Sequence, residues 1–289
     1  MKLDWRLRIL AKMLLSRLPF GYGVWRRLAL FRHGRMENPA YALGVFRQHY
    51  QRYLAVGGRA DGYSVLELGP GDSLNTALIA RVHGAEEVIL VDAVAAARQD
   101  TEPYRRLADH LKIHDGHHVP SSDLKSCEAL LAGCKARYLT DGLESLRQLP
   151  SASVDFILSH AVLEHVRRDE FGAHLRELHR ILRPGGIMSH RIDFKDHLGG
   201  ALNNLRFSSR WWESPLLVRS GFYTNRFRAS EVLGKLRATG FECRVIKQDS
   251  WPQPPIRRPQ LADEFARLVD EDLHISGLDV VCLRLEKVA

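Results

Sequence analysis

Between residues 60 and 195 short apolar runs alternate with segments of helical period. Ser64–Leu68, Glu87–Val91, Ala136–Leu139, Val154–Ser159 and Gly186–Ile192 are compact, β-branched-rich apolar runs and predict strands. Ser73–His83, Leu124–Ala132 and Asp169–Leu182 space their apolar residues as one helix face does, and Pro184-Gly185-Gly186 stops the last of them. Residues 100–135 read as a long connection holding only the helix at Leu124–Ala132. Strand–helix alternation of this kind predicts a mostly parallel sheet covered by helices on both faces, a doubly wound α/β fold. Beyond it, Ser230–Thr239 predicts a helix with Ser230 as its N-cap, and a further helix is expected around Leu261–Val269. Phe241–Lys247 and Leu278–Leu285 predict two closing strands that form an antiparallel edge. Ahead of the alternating region, residues 38–55 predict a helix capped by Asn38 with Pro39 in its first turn.

The first residues have a different character. Leu3, Leu7, Leu10, Leu14, Leu15 and Leu18 fall at helical spacing, and a second basic apolar stretch runs from Val24 to Phe31. The formal charge of the chain is +8, and Lys2, Arg6, Arg8, Lys12, Arg17, Arg26, Arg27, Arg32 and Arg35 face a single acid, Asp4, in this stretch. Two readings stay open for residues 1–35: a helical hairpin packed on the main domain, or a basic amphipathic element that touches a membrane surface or an anionic acceptor. The apolar run Ile9–Phe20 is broken by Lys12 and Arg17 and is followed by no small-residue cleavage site, so it does not read as a signal peptide. No apolar window is long enough to span a bilayer. Cys127, Cys134, Cys243 and Cys282 form no C-x-x-C pair, and with His117 and His118 they match no standard zinc spacing. These features predict reduced thiols, no metal, and a cytoplasmic protein with a peripheral position at the inner membrane face as an option.

The densest chemistry is Val65-Leu66-Glu67-Leu68-Gly69-Pro70-Gly71-Asp72-Ser73, an apolar strand running into a glycine turn and then a helix. Glycines there let backbone approach a ligand at the carboxyl end of a central strand, where open α/β sheets bind ligands. Dinucleotide domains share G-x-G, but Leu74 stands where their third glycine belongs. Glu67 would repel a pyrophosphate and suits a cationic ligand. Asp92 ends the next strand, where an acid can accept from both ribose hydroxyls, and Asp141 lies at the end of the third.

Together these segments resemble the class I S-adenosylmethionine-dependent methyltransferases. Val65–Gly71 resembles their first motif, and Asp92 matches the acid ending their second strand. Val154–Val166 resembles their fourth-strand segment, and Leu178–Gly186 the helix and turn before their fifth strand. The resemblance implies a Rossmann-like, seven-stranded, mostly parallel sheet with an antiparallel final strand, and S-adenosylmethionine as methyl donor. By position it implies Glu67, Gly69 and Gly71 on the methionine side of the cofactor. Asp92 with Ala93 would lie at the ribose, Asp141 with Gly142 at the adenine, and Ser159 with His160 beside the transferred methyl.

After residue 195 nothing matches a pattern that fixes an acceptor. The candidates for a proton-accepting group are His160, His190, Asp193 and His197, with His165 and Asp196 nearby. If the fifth strand persists, His190 and Asp193 point to opposite sides. Trp211, Trp212, Phe222 and Tyr223 of the insert 196–229 could stack on an acceptor ring, or could pin the loop. The chain divides into an N-terminal extension, 1–58, and a methyltransferase domain, 59–289, with its cofactor half at 60–195. The expected function is O-methylation of a small-molecule, glycan or lipid-linked acceptor. A non-catalytic cofactor-binding scaffold and a NAD-dependent oxidoreductase are the alternatives. No nucleic-acid module is visible, and the sequence leaves the oligomeric state open.

Overall fold

A computed structural model describes residues 5–7, 9 and 36–285. Most of residues 1–35, with the proposed hairpin and membrane contact, lies outside the described residues. Trp5–Leu7 and Ile9 are helical, and the Trp5 ring meets Phe207 edge-on at 6.0 Å.

The elements that carry the site are α1 (Pro39–Ala55), β1 (Tyr63–Leu68), α2 (Asn75–Val82), β2 (Ala85–Val91), α3 (Glu102–Asp115), α4 (Cys127–Gly133), β3 (Ala136–Leu139), α5 (Leu143–Gln148), β4 (Val154–His160), α6 (Phe171–Ile181) and β5 (Leu182–Asp193). The insert adds two short helices, α7 (Ser209–Trp212) and α8 (Pro215–Val218). It is followed by α9 (Ala229–Ala238), β6 (Phe241–Ser250), α10 (Asp270–His274) and β7 (Ile275–Arg284). The seven strands form one sheet in the order β3-β2-β1-β4-β5-β7-β6. β1 pairs in parallel with β2 and β4, β2 with β3, and β4 with β5, whereas β7 runs antiparallel to both β5 and β6.

Strand alternation divides the core between the two sheet faces. On one face Val65, Val88, Leu90, Phe156 and Leu158 pack under α1, α2, α3 and α4; on the other, Leu66, Leu68, Ile89, Ile157 and Met188 pack under α5, α6 and α9. α1 belongs to the first of these cores: Phe46, Tyr50 and Tyr53 join Tyr63 and Phe156, with Tyr53 stacked on Phe156 at 4.6 Å. Asn38 caps α1 as the sequence predicts, its Oδ1 accepting from the Tyr41 amide at 3.0 Å.

Several boundaries differ from the expectation. Residues 100–135 contain a second helix, α3, which buries Tyr104, Leu107, Ala108 and Leu111 and ends on Gly116 in the left-handed region. Its charged outer face dilutes the apolar stripe, although Pro103 and Gly116 mark both ends. α9 starts at Ala229, and Ser230 is not its cap: Asp272 of α10 accepts from both the Ser230 amide and its hydroxyl. No helix forms over 261–269, where the chain makes 3₁₀ turns at Arg258–Gln260 and Asp263–Phe265. The Arg258 guanidinium occupies the Ala266 and Leu268 carbonyls at 2.9 and 2.7 Å. β5 begins early, at Leu182, and Arg183–Gly186 bulge out of its pairing with β4.

Candidate active site

At the carboxyl ends of β1 and β2 the backbone closes on itself. Gly69 and Gly71 have φ of 73° and 65°, a region L side chains rarely adopt. A Cβ on Gly69 would stand 2.5 Å from a Val162 methyl, so glycine is required there by conformation and by contact. The Gly69 amide donates to the Val91 carbonyl at 2.8 Å. The Gly71 amide donates to Asp92 Oδ2 at 2.9 Å, and the Ala93 amide to Oδ1 at 2.7 Å. The Gly142 amide then donates to the Asp92 carbonyl at 2.8 Å. Gly69, Gly71, Asp92, Ala93 and Gly142 therefore form one continuous rim across three strand ends. Asp141 stands beside them with an exposed side chain, its amide donating to Ser145 Oγ at 2.9 Å.

Glu67 lies beneath this rim, 3% exposed, and its Oε2 is buried with no hydrogen-bond partner. Burial pushes its carboxyl up to about 8; the Thr76 hydroxyl hydrogen bond opposes the shift and the nearby Asp92 charge adds to it. A buried carboxyl with a spare oxygen under a ring of turned amides fits a cationic ligand placed over the turn.

The expected catalytic residues do not converge. The His160 ring faces α1, with Nδ1 3.3 Å from His49 Nε2 and the Tyr41 ring perpendicular to it at 6.5 Å. Burial lowers its titration; Arg191 lowers it further and Asp279 opposes. His190 is fully buried on the other sheet face, its Nδ1 2.7 Å from Ser159 Oγ, and burial lowers it to about 4. Ser159 thus turns its hydroxyl into that core. Asp193 pairs with Lys195, at 3.2 Å, and its amide donates to Glu164 Oε1 at 3.3 Å. Exposed His197 stacks on His165 at 4.9 Å. The persistence of β5 to Asp193 separates His190 from Asp193. The Asp196 carboxylate collects the amides of Leu198, Gly200, Ala201 and Asn203 and fastens the start of the insert.

Three features escape the sequence. His49 is completely buried in the apolar stripe of α1, and its Nδ1 lies 2.8 Å from Ser189 Oγ. A histidine within that stripe is the signal that could have marked it. Asp279 joins Arg52 of α1 at 2.5 Å to Arg191 of β5 at 3.1 Å. Glu164 is buried with an unpartnered Oε2, and burial pushes it up to about 8. In the insert, Trp212, Phe222 and Tyr223 are buried and the Trp212 indole donates to the Thr224 carbonyl at 2.7 Å, whereas Trp211 is exposed.

Fold and rim together are those of an α/β domain whose central strand tips suit a cationic ligand. Residues 66–189 match the family described as Methyltransferase domain. The chain carries a class I S-adenosylmethionine-dependent methyltransferase domain, and S-adenosylmethionine is the cofactor of that class. A Mycolicibacterium smegmatis protein named as a probable S-adenosylmethionine-dependent methyltransferase is 28% identical over 201 residues, 68% of this chain and 59% of the relative. The chain therefore spans about 59% of the length of that relative. Among solved structures, a methyltransferase of the same cofactor class from Methanosarcina mazei superposes with a TM-score of 0.50 at 18% identity, covering 82% of this chain and 97% of that one. One from Mesorhizobium loti has a TM-score of 0.44 at 17% identity, covering 82% and 97%. No helix among the described residues is long and apolar enough to cross a membrane.

Proposed function

We propose that the protein transfers a methyl group from S-adenosylmethionine to an oxygen of a small-molecule, glycan or lipid-linked acceptor. The observation that carries this reading is the joined rim, in which Asp92 receives the Gly71 amide over a buried Glu67 with a free oxygen. These residues fit the cofactor by charge and by shape. Gly69 and Gly71 give its methionine end room, Glu67 supplies negative charge below the sulfonium and ammonium, and Asp92 with Ala93 accepts the ribose. Asp141 and Gly142 flank the adenine, and His160 stands nearest the acceptor. When bound, the cofactor supplies a methyl group on a sulfonium, and the sulfur keeps the electron pair of the broken bond as a neutral thioether. The chain's own work is to hold donor and acceptor in line and dry, a contribution worth roughly 7–11 kcal/mol, and to remove the acceptor's proton, worth about 10²–10⁴-fold. The basic stretch 1–35 favours a lipid-linked acceptor.

Calorimetric titration of S-adenosylmethionine tests the reading. Asp92→Ala is expected to weaken binding about 10- to 100-fold, the loss of one or two charge-assisted hydrogen bonds. Unchanged affinity in a variant with native circular dichroism would overturn it.

A further inference from the structure

A solvent-open cavity of about 340 Å³ lies between α1 and the tip of β4, lined by buried Val45, half-buried His160 and the exposed Ala40, Tyr41, Gly44 and Gln48. It adjoins the glycine turn. Leu68 pairs with Ser159, so Gly69 follows one partner as His160 follows the other, and the Val162 side chain covers Gly69. Ala40 and Gly44 leave a slot in the α1 wall, Tyr41 and His160 present two rings, and Gln48 presents an amide. None of the lining side chains carries a permanent charge. The ionic groups nearest His160 pair with one another: Arg52 and Arg191 share Asp279, Arg191 also binds Asp249 at 2.5 Å, and only Arg52 Nη1 among these is buried without a partner.

Behind His160 runs a short relay, from Ser189 Oγ to His49 Nδ1 at 2.8 Å and from His49 Nε2 to His160 Nδ1 at 3.3 Å. The two imidazoles meet through one nitrogen each, so only one of those nitrogens carries the shared proton. If His49 Nδ1–H donates to Ser189, His49 Nε2 accepts from His160 Nδ1–H. His160 Nε2 is then an unprotonated lone pair left for a ligand. Once His160 takes a proton there, its Nδ1–H still finds an acceptor, provided that His49 remains neutral. Burial first, then the neighbouring His160, Arg52 and His190, hold His49 well below the usual imidazole range.

We infer that this cavity receives an uncharged, hydroxyl-bearing ring, and that His49 is a positioning residue holding His160 in the tautomer that accepts the hydroxyl proton. The proton passes from the acceptor oxygen to His160 Nε2, the O–H electron pair stays on oxygen, and the ring becomes imidazolium. The inference rests on the methyl-transfer reading for its purpose, but its geometry can be tested without turnover.

The test is two-bond ¹⁵N–¹H correlation NMR of the histidine rings over a pH series, with phenol and benzoate as probes. Around His160 the groups that influence the titration are His49, Tyr41 and Arg52 of α1, Arg191 of β5 and Asp279 of β7. Wild-type His160 is expected in the Nδ1–H form. H49Q, whose amide oxygen can still accept, is expected to retain that form, and H49F to convert it to Nε2–H. Phenol is expected to move the His160 signals saturably, Gly44→Leu to weaken this at least tenfold, and benzoate to leave them in place. An unchanged tautomer in H49F, no response to phenol, or benzoate binding as tightly as phenol would each overturn the inference. If H49F does not fold, Ser189→Ala, which removes only the anchor of the His49 ring, is expected to give a tautomer mixture. S-adenosylmethionine affinity is measured alongside in wild type: its absence defeats the methyl-transfer reading, whereas the tautomer and phenol results decide the pocket.

Discussion

The two halves of the site are built from different material. At the tips of β1 and β2 the structure is backbone: the amides of Gly69, Gly71 and Gly142 are held by a carbonyl or carboxylate one strand away, and that of Ala93 by the adjoining Asp92 carboxylate. At the tips of β4 and β5 it is side chains: Ser189, His49 and His160 come from three elements. The first half can be specified by short motifs, because a glycine turn and an acid at a strand end act where they stand in the chain. The second half depends on how α1 docks on the sheet, and the same residues would mean nothing at another docking angle. Substitution should therefore damage the first half through conformation and the second through proton position.

The largest effect expected is at Gly69. Alanine there must adopt φ near 73° and place its Cβ against Val162. Left-handed strain costs on the order of 1–2 kcal/mol per residue, and overpacking adds about 1–3 kcal/mol. Gly69→Ala should lower stability by about 2–5 kcal/mol in urea unfolding, and should weaken cofactor binding beyond what Asp92→Ala does. A loss below about 0.5 kcal/mol, the range of ordinary surface changes, would mean that Val162 yields and that the turn is not pinned as described.

The same contrast sets what the sequence could reveal. The sheet, its antiparallel edge and the rim residues Glu67, Gly69, Gly71 and Asp92 were legible because each rests on local pattern: strand period, glycine freedom, an acid closing a strand. His49 was not legible. It stands 111 residues from His160 and 140 from Ser189, and within α1 it occupies a position that reads as core. The Asp279 bridge between Arg52 and Arg191 is likewise distributed over α1, β5 and β7. Local pattern cannot supply partners that arrive from distant parts of the chain. The helix expected around Leu261–Val269 is a different case: the chain makes a 3₁₀ turn at Asp263–Phe265 there, and the Arg258 side chain caps the Ala266 and Leu268 carbonyls.

A smaller effect separates the halves by pH. Glu67 and Glu164, one in each half, are both pushed up to about 8 by burial. Each binds a proton when folded that the unfolded chain has already released above about pH 4.3, so each makes stability fall as pH rises towards 8. Histidines lowered by burial act oppositely: His190, lowered to about 4, and His49, His83, His160 and His174 stay neutral in the fold where the unfolded chain takes up protons, mainly below about pH 7. Between about pH 7 and 8 each carboxyl contributes a falling slope of up to about 1.4 kcal/mol per pH unit. Chemical unfolding across that window should show stability falling, and Glu67→Gln should remove about half of the carboxyl contribution. Saturating S-adenosylmethionine should remove the same half, because a cation over Glu67 favours its ionised form, and should leave the Glu164 half in place. A ligand that abolished the whole slope would tie both carboxyls to one site and dissolve the distinction between the halves.

The smallest effect falls where the halves touch. Ser159 pairs with Leu68 through the backbone, yet its hydroxyl belongs to the opposite face, on His190 Nδ1 at 2.7 Å. Ser159→Ala leaves the strand intact and strands one more nitrogen on a ring whose Nε2 is already buried without a partner. The cost of such an orphan is about 1–3 kcal/mol, at the low end here because the imidazole is neutral. Stability measured at pH 7 should drop by about 1 kcal/mol, while cofactor affinity and the His160 tautomer stay as in wild type. If the variant instead weakened cofactor binding tenfold, Ser159 would be acting on the ligand side of the sheet. The division would then have to be redrawn through β4, with Ser159 counted among the groups that hold the cofactor.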